Sequence, residues 1–233
     1  AHRALGGATC GVRAGRLRLG WREAEHDLGP VDDMPLTVGG TARYNVANLA
    51  GAALTSAALG IAPATIRAIY ARFARDPADN AGRLMRFDVG GARFVVDYAH
   101  NPDGLRGVLH VAQQLRGPGG RLIMLLGHAG NRRDEDIAEL AAVAATHGPD
   151  LVVVKEDEGH LRGRQPGEVP EILRRALLAS GLPETAVVVP MSERAAASYA
   201  IEAARPGDAV ALLMHSSSAR DAVLSLLRGR TGS

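Results

Sequence analysis

The chain of 233 residues is poor in aromatic side chains and in cysteine. Aromatic residues make up only 3% of it, so a folded core has to be built from Ala, Val, Leu and Ile. The single cysteine, Cys10, excludes an internal disulfide bond and suits a reducing cytoplasm, which is the compartment we expect. No apolar run reaches membrane-spanning length, so we expect no membrane partner.

The charge balance also lacks the large basic excess of a nucleic-acid-binding protein. Lys plus Arg number 27 and Asp plus Glu number 25, so the formal net charge is only +2 and no nucleic-acid partner is expected. Lys155 is the only lysine, so the other residues in the Lys plus Arg count are arginines. Apolar residues form 46% and charged residues 22% of the chain, as is usual for a globular protein.

The first third of the sequence predicts strands followed by helices. Residues 11–40 have the pattern of short strands and turns, and the alternation in Arg16–Leu19 is typical of a half-buried strand. An alanine-rich helix is predicted from Ala47 to Leu59, with Gly60 closing it. Pro63 fits the first turn of a second helix.

A cluster of helix-breaking residues at 76–82 marks the predicted boundary between two domains, 1–78 and 79–233. Beyond it, apolar segments alternate with helical patterns. The predicted strands are Phe94–Val96, Leu122–Leu126, Leu151–Val154, Val187–Val189 and Ala209–Leu213, and the predicted helices lie near 103–116, 134–147, 168–180, 192–204 and 217–228. This alternation predicts a Rossmann-like α/β domain whose mainly parallel sheet carries helices on both faces.

Polar segments follow four of the predicted strands, where ligands bind in a sheet of this kind. They are Asp97–Pro102, Gly127–Asp134, Lys155–Arg164 and Met214–Ser218. Four successive strand ends rich in charge, His and Gly favour a functional edge of the sheet. The alternative is that these are ordinary solvated loops, since loops are polar in general.

Several segments, in their order along the chain, resemble motifs of the Mur ligase family. Val95–Pro102 is similar to the D-Y-A-H-x-P motif that opens the C-terminal domain of these enzymes. The other similar segments are Ala42–Leu49 (N-x-x-N), Gly82-Arg83 (G-R) and Gly127–Asp134 (G-x-x-G-x-R-D). The combination of Lys155-Glu-Asp with Arg162-Gly-Arg is most similar to the cyanophycin synthetase branch, and folylpolyglutamate synthases are more distant relatives.

The resemblance implies an ATP-dependent ligase in which a carboxylate is activated as an acyl phosphate and then attacked by the amine of an amino acid. ATP and Mg²⁺ would be its cofactors, and residues 1–78 would be the tail of its central ATP-binding domain. The phosphate-binding loop G-x-x-x-x-G-K-[ST] of such enzymes is lacking, because Lys155 has no such glycine frame. The chain also starts at Ala1 without an initiator Met, so we expect a fragment that lacks its preceding domain and is inactive alone.

The resemblance assigns nucleotide contacts to three residues and a catalytic role to a fourth. Asn45 would hydrogen-bond the adenine, or alternatively would be a helix N-cap. Arg83 would contact the ATP phosphates, or would be an ordinary solvated arginine. Asp97 would bind the ribose or organise the nucleotide, or would be a turn aspartate. His100 would meet phosphate or substrate, or would simply fix the turn.

The family also suggests contacts to the substrates. The glycine-rich segment Gly127–Asp134 would shape the substrate site, with Arg132 or Arg133 near carboxylates. A phosphate cradle of backbone N–H groups is the alternative for this segment, but a lone glycine-rich loop is weak evidence for one. Asn101 and Pro102 are expected to be structural, since proline pre-sets the start of a helix.

The charged segment Lys155–Arg164 would bind the incoming amino acid. Arg162 and Arg164 would hold its carboxylate, while Glu156 or Asp157 would face its ammonium group. The alternative for this run of charges is a solvated loop.

Two departures from the family limit the identification of substrates. Ligases that add a diamino acid carry D-N-P-R and G-K-G-H-E where this chain has Lys155-Glu-Asp-Glu and Met214-His-Ser-Ser-Ser, so those assignments do not transfer. His215 matches the second motif only partially and receives no role.

Several alternatives stay open. Aspartate or arginine on a polypeptide acceptor competes with glutamate or a diamino acid on a peptidoglycan precursor, as in a peptidoglycan Mur ligase or a folylpolyglutamate synthase-like enzyme. A non-catalytic module that binds a nucleotide or an amino acid is the rival class. No metal-ligand spacing stands out, and a homo-oligomer is one of the open assembly states.

Overall fold

A computed structural model describes residues 7–189 and 192–230 of the chain. The backbone divides into two compact units, Ala1–Asn80 and Ala81–Ser233, which are called the N-terminal and C-terminal units. None of the helices in the described ranges has the length and apolar character needed to cross a membrane.

The N-terminal unit pairs a small antiparallel sheet with two helices. Its elements are β1 (Thr9–Arg13), β2 (Arg16–Trp21), β3 (Ala24–Pro30), a 3₁₀ turn (Pro35–Thr37), α1 (Arg43–Ala58), α2 (Pro63–Tyr70) and a second 3₁₀ turn (Pro77–Asn80). Leu17 and Leu19 are fully buried while Arg16 and Arg18 are only partly covered, so the alternating pattern predicted a half-buried strand correctly.

A six-stranded sheet forms the centre of the C-terminal unit. Its strands are β4 (Met85–Val89), β5 (Ala92–Asp97), β6 (Leu122–Leu126), β7 (Leu151–Val154), β8 (Val187–Val188) and β9 (Ala209–Leu213). They lie in the order β4-β5-β9-β6-β7-β8, and all pairs are parallel except β4 with β5. The predicted mainly parallel sheet is therefore confirmed.

Helices cover both faces of this sheet. They are α3 (Pro102–Leu115), α4 (Asp134–Thr146), α5 (Glu168–Ala179), α6 (Glu193–Ala203) and α7 (Ser217–Arg230). Helices α6 and α7 share one core cluster with Phe94, Ile123 and Leu212. Val95, Met124 and other strand residues of opposite parity lie outside that cluster and are fully buried on the other face, where α3 and α5 contact the strands. Burial on both faces explains why these strands are continuously apolar.

Strand β4 was missed by the sequence-based prediction, which began the sheet at Phe94. Met85 and Phe87 are buried while Arg86 and Asp88 are exposed, which is the period of two expected for a strand covered on one face. Asn101 accepts a hydrogen bond from Gly104 N at 2.8 Å as the N-cap of α3, and Pro102 is its first residue, so the structural role predicted for both residues is confirmed.

Candidate functional site

The polar segments that follow β5, β6, β7 and β9 lie at one end of the sheet, which is called the C-terminal edge. The strands are in register, with Asp97 opposite Leu213 and Leu126 opposite Val154. Met214 N donates a hydrogen bond to Asp97 O, and Lys155 N donates one to Leu126 O, each at 2.8 Å. Parallel strands thus bring residues far apart in sequence to a common edge.

A buried ion pair crosses this edge. The Nζ atom of Lys155 is 2.7 Å from Oε2 of Glu193, and the two residues are 0% and 3% exposed. The other oxygen of Glu193 accepts hydrogen bonds from His215 N (2.8 Å) and Ser216 N (3.1 Å). The pair therefore ties the end of β7 to the start of α6 and to the segment after β9.

Gly127 makes room for this ion pair at the end of β6. A Cβ atom there would lie 2.6 Å from Cγ of Lys155, so the lysine stem passes where any larger residue would stand. Burial lowers the pKa of Lys155, and the charge of Glu193 opposes that shift. From the sequence, Lys155 served only to exclude a phosphate-binding loop. A lone lysine directly after an apolar strand is the sequence signal for this pair, and nothing in the sequence marks Glu193.

Asp157 and His215 lie side by side beneath the surface of the edge. Their side chains are 6% and 5% exposed, and Oδ2 of Asp157 is 3.8 Å from Nδ1 of His215. The other oxygen of Asp157 is 2.9 Å from Nδ1 of His160. Burial, reinforced by the charge of Lys155, lowers the pKa of His215 to about 3. Asp157 is a predicted site residue, whereas sequence reasoning gave His215 no role.

Asp97 holds together two backbone segments next to the edge. Its two carboxylate oxygens accept hydrogen bonds from Leu84 N and Ala99 N, each at 2.7 Å. Burial raises the pKa of Asp97, although these backbone N–H groups and the charge of Arg83 favour its ionised form. These bonds correspond to the turn aspartate that the sequence left open as the alternative role of Asp97. A nucleotide could contact Asp97 only through a carboxylate oxygen that also accepts one of these backbone hydrogen bonds.

Arg83 and His100 meet at Tyr98. The guanidinium carbon of Arg83 lies 4.8 Å from the centroid of the Tyr98 ring, which is a cation–π distance. The rings of His100 and His215 pack edgewise against the same tyrosine, at 5.3 Å and 5.2 Å. The structure thus groups Arg83, Asp97 and His100, three of the predicted site residues, around the turn that follows β5.

The glycine-rich segment packs closely against the charged segment. A Cβ atom on Gly130 would lie 2.0 Å from the carbonyl oxygen of Leu161, and Gly130 N donates to His160 O at 2.8 Å. Arg164 donates from Nε to Gly130 O (2.9 Å) and from Nη2 to Arg132 O (2.8 Å). The glycine at position 130 is required by this loop-to-loop contact.

The predicted substrate-binding arginines fall into two groups. Arg133 is paired with Asp136 at 2.8 Å, and Arg164 is paired with Asp134 and Glu168, each at 2.6 Å. The side chains of Arg132 and Arg162 are exposed and make neither a hydrogen bond nor an ion pair with any described residue. Arg133 and Arg164 therefore have structural partners, whereas Arg132 and Arg162 have none among the described residues.

Two cavities open near these segments. The first, called the edge cavity, has a volume of about 630 Å³. Its lining includes Asp157, His160, Glu193, Arg194, His215 and the serines at 216–218. The second, of about 670 Å³, is more apolar and contains Glu156, whose carboxylate accepts a hydrogen bond from Gly167 N. Glu156 and Asp157, predicted as alternatives for one task, thus face different cavities.

Asn45 belongs to the N-terminal unit and lies inside α1. The helix begins at Arg43, earlier than the predicted Ala47, and its N-cap is Ala42, so the N-cap interpretation of Asn45 is wrong. Its side chain is buried, donates from Nδ2 to Leu36 O at 3.0 Å, and accepts from Asn48 at 3.3 Å. Within the described residues, no three His, Cys, Asp or Glu side chains form a group suited to a metal ion.

Comparison with known proteins gives a consistent result. Residues 82–213 match the family model described as Mur ligase, glutamate ligase domain. The cyanophycin synthetase of Synechocystis sp. is 32% identical over 169 residues, which cover 72% of this chain and 19% of the relative. The UDP-N-acetylmuramoyl-L-alanyl-D-glutamate–2,6-diaminopimelate ligase of Chromobacterium violaceum is 32% identical over 184 residues, covering 78% and 34% of the two chains.

A solved structure shares the fold at lower identity. E. coli FolC in complex with ADP superposes with a TM-score of 0.62 at 20% identity, covering 97% of this chain and 47% of that one. The chain thus spans about a fifth of the cyanophycin synthetase and a third of the diaminopimelate ligase. The motif-based resemblance is confirmed by the family model and by relatives that cover most of the chain, and the chain belongs to the Mur ligase family.

Proposed function

We propose that this chain is the C-terminal part of an ATP-dependent ligase that joins a carboxylate to the amine of an amino acid. In this proposal the N-terminal unit is the tail of a central ATP-binding domain, and the C-terminal unit is the domain that receives the amino acid. Family membership supports the reaction class, and the cyanophycin synthetases among the relatives favour that branch. Peptidoglycan-type ligases and folylpolyglutamate synthase-like enzymes are the neighbouring alternatives.

The observation that carries the proposal is the edge cavity. Its volume of about 630 Å³ suits a small molecule, and it lies where ligands bind in parallel α/β sheets. Its lining includes the buried Asp157, the exposed Arg194 and the first turn of α7. Such a lining offers an anionic partner for an ammonium group and cationic partners for a carboxylate, as a zwitterionic amino acid requires.

The predicted substrate residues take different places in this proposal. Asp157 faces the ammonium group, and Arg194 takes the carboxylate that Arg162 and Arg164 were predicted to hold. Arg132 and Arg162, whose guanidinium groups have no partner among the described residues, contact carboxylates of the larger acceptor. Arg164 acts by holding the two loops together, Arg133 acts by pairing with Asp136 at the start of α4, and Glu156 lines the second cavity.

Nucleotide binding is proposed for the turn after β5. The guanidinium of Arg83 is exposed and forms no ion pair with a described residue, so it is free to contact phosphate oxygens. Asp97 would share its oxygens between the backbone and the ribose, and His100 would meet a phosphate or the substrate. An adenine contact is the role proposed for Asn45 in the N-terminal unit. Bound ATP, with Mg²⁺, supplies the phosphoryl group that activates the carboxylate; no ligand for Mg²⁺ is assigned to this chain.

The test is amino-acid-dependent release of phosphate from ATP by the complete gene product, screened over the proteinogenic amino acids and diaminopimelate. We expect release with one or a few amino acids, and loss of most of it in Asp157→Asn. The 233-residue chain alone should release none. Absence of amino-acid-dependent release from the complete gene product would instead support the rival, a module that binds a nucleotide or amino acid without chemistry.

A further inference from the structure

The hydrogen bonding of His215 determines which of its ring nitrogens carries the proton. Nε2 lies 3.2 Å from the carbonyl oxygen of Ala99, which can only accept a hydrogen bond, so Nε2 is the donor. The edgewise contact with Tyr98 at 5.2 Å holds the ring in this orientation. In the neutral ring, Nδ1 then bears a lone pair and is an acceptor.

The surroundings keep this ring neutral. Only 5% of the side chain is exposed, and the pKa of His215 falls to about 3 because of burial and the nearby charge of Lys155. The carboxylate of Glu193 fixes the backbone of the same segment through His215 N and Ser216 N. The position, the orientation and the charge of the imidazole are therefore all set by neighbouring groups.

Nδ1 of His215 faces a second acceptor. It is 3.8 Å from Oδ2 of Asp157, which is too long for a hydrogen bond, and the neutral ring has no proton to share there. Among the described residues, no group donates to either of these two atoms, while Oδ1 of Asp157 is occupied by His160. Both residues line the edge cavity, so two adjacent acceptors with one negative charge meet the contents of that cavity.

We propose that Asp157 and His215 together form a recognition site for a primary ammonium group. A single nitrogen with several N–H donors can bridge two acceptors 3.8 Å apart with hydrogen bonds of ordinary length, whereas a hydroxyl group donates only once. The positive charge pairs with the carboxylate, and the neutral imidazole adds direction. This inference rests on the proposed function only in taking the ligand to be an amino acid; it leaves open whether the α-ammonium or a side-chain ammonium is bound.

The first experiment uses the 233-residue chain labelled with ¹⁵N. Long-range ¹H–¹⁵N correlation of the histidine rings should show His215 protonated at Nε2 and bare at Nδ1. Protonation at Nδ1, or a doubly protonated ring at neutral pH, would overturn the proposal.

The second experiment measures binding of matched pairs of small molecules by calorimetry at millimolar concentrations. L-alanine with L-lactate and L-aspartate with L-malate test the α-ammonium group, and L-lysine with L-norleucine tests a side-chain ammonium. In at least one pair, we expect the member with the additional ammonium group to bind at least about tenfold more tightly, a difference of about 1.4 kcal/mol. Equal affinity within every pair, or no binding by any probe, would contradict the proposal.

Variants separate recognition from folding. Asp157→Asn and His215→Phe should abolish the preference for the ammonium-bearing member, while His215→Gln, which keeps an acceptor and a donor, should retain part of it. Glu158→Gln is the matched control, because it removes a carboxylate that lines the same cavity but lies outside the pair. If Glu158→Gln lost the preference to the same extent, the preference would arise from the overall negative charge of the cavity, and the specific site at Asp157 and His215 would be refuted.

These outcomes are distinguishable from failure of the proposed function. Phosphate release by the complete gene product without any ammonium preference in this chain would support the ligase and refute the recognition site. Ammonium preference that depends on Asp157 and His215, without phosphate release, would support the recognition site and refute the ligase.

Discussion

The two units differ in what they bury. Among the described residues, the N-terminal unit buries two polar side chains, Thr37 and Asn45, which are neutral and donate to backbone carbonyl groups. The C-terminal unit buries seven titratable ones: Asp97, His128, Lys155, Glu156, Asp157, Glu193 and Asp208. All of these except Asp208 lie at or beside the C-terminal edge.

This difference favours the C-terminal edge as the place of the proposed site. Removing a charge from water costs several kcal/mol unless partners compensate it, so a fold selected for stability alone has little reason to place such groups together. Asp208 shows the ordinary structural case, since it is bound by Arg121 at 2.6 Å at the opposite end of the sheet. The grouping of buried titratable side chains at the C-terminal edge favours a site in which charges are held in place before a ligand binds.

The largest expected effect is that of Lys155→Met, which leaves Glu193 buried without its partner. We expect the C-terminal unit to lose about 3–5 kcal/mol of unfolding free energy, the usual cost of breaking a buried ion pair from one side. Hydrogen exchange in β6 and β9 measures that unit, while fluorescence of the only tryptophan, Trp21, follows the N-terminal unit. Arg162→Met, which removes an exposed cation from the same loop, is the control.

Two results would contradict the expected difference in stability change between the two units. A Trp21 transition that shifts as much as the exchange rates would mean that the two units unfold together. An unchanged C-terminal unit in Lys155→Met would mean that Glu193 finds another partner.

The next effect is a pH dependence confined to the C-terminal unit. The folded pKa of His215, about 3, lies below the value of about 6.5 of a free imidazole, so the unfolded chain takes up a proton first. This contribution to stability is complete above pH 6.5 and is lost as the pH falls toward 3, with a slope of up to about 1.4 kcal/mol per pH unit. Urea unfolding at pH 7, 6, 5 and 4 should show a shallower slope for His215→Gln than for the wild type, and parallel slopes would refute the buried neutral ring.

A smaller loss is expected for Asp97→Asn. The amide keeps one acceptor oxygen but turns an NH₂ group toward either Leu84 N or Ala99 N, so one backbone hydrogen bond is lost. We expect about 1–3 kcal/mol, the cost of a buried charged hydrogen bond, in the C-terminal unit only. Glu158→Gln serves as the surface control. Wild-type stability in Asp97→Asn would contradict the turn-stabilising role and leave nucleotide binding as the proposed role of Asp97.

The smallest effect separates two arginines of one loop. Arg164→Ala removes bonds to Gly130 O and Arg132 O, so the melting temperature should fall by about 3 °C, as expected for roughly 1 kcal/mol in a domain of this size. Arg162→Ala should leave the melting temperature unchanged, since its guanidinium has no described partner. Calorimetry measures both melting temperatures. Equal values for the two variants would contradict a stabilising role that Arg164 has and Arg162 lacks.

The fold was largely predictable because its signals are local. Continuous apolar strands alternating with helical patterns predicted the strand Ala209–Leu213 and a helix near 168–180, found as Glu168–Ala179. The start of α1 was missed because Ala42 is an N-cap without a side-chain hydrogen bond, which leaves no recognisable sequence mark. β4 was missed although Met85 and Phe87 alternate with charged residues, since only five residues carry the pattern.

The candidate site was predictable as a place but not as a set of contacts. The order of strands and the rule for parallel sheets brought Asp97, Asp157 and the glycine-rich segment to one edge. Which charges would be bound internally could not be foreseen, because Arg164 and Arg162 are chemically identical two positions apart, and only Arg164 reaches the carbonyl groups of the neighbouring loop.

The sequence by itself determined the α/β architecture, the family and the edge at which to look, because these follow from periodicity and short motifs. Only the tertiary structure decided that Lys155 and Glu193, 38 residues apart, form a buried pair, and that His215 stands next to Asp157 with one nitrogen bare. The physical reason is that ion pairing, burial and tautomer depend on distances between separate strand ends. Those distances are set by the register of β7 and β9 across the sheet, which no local pattern encodes.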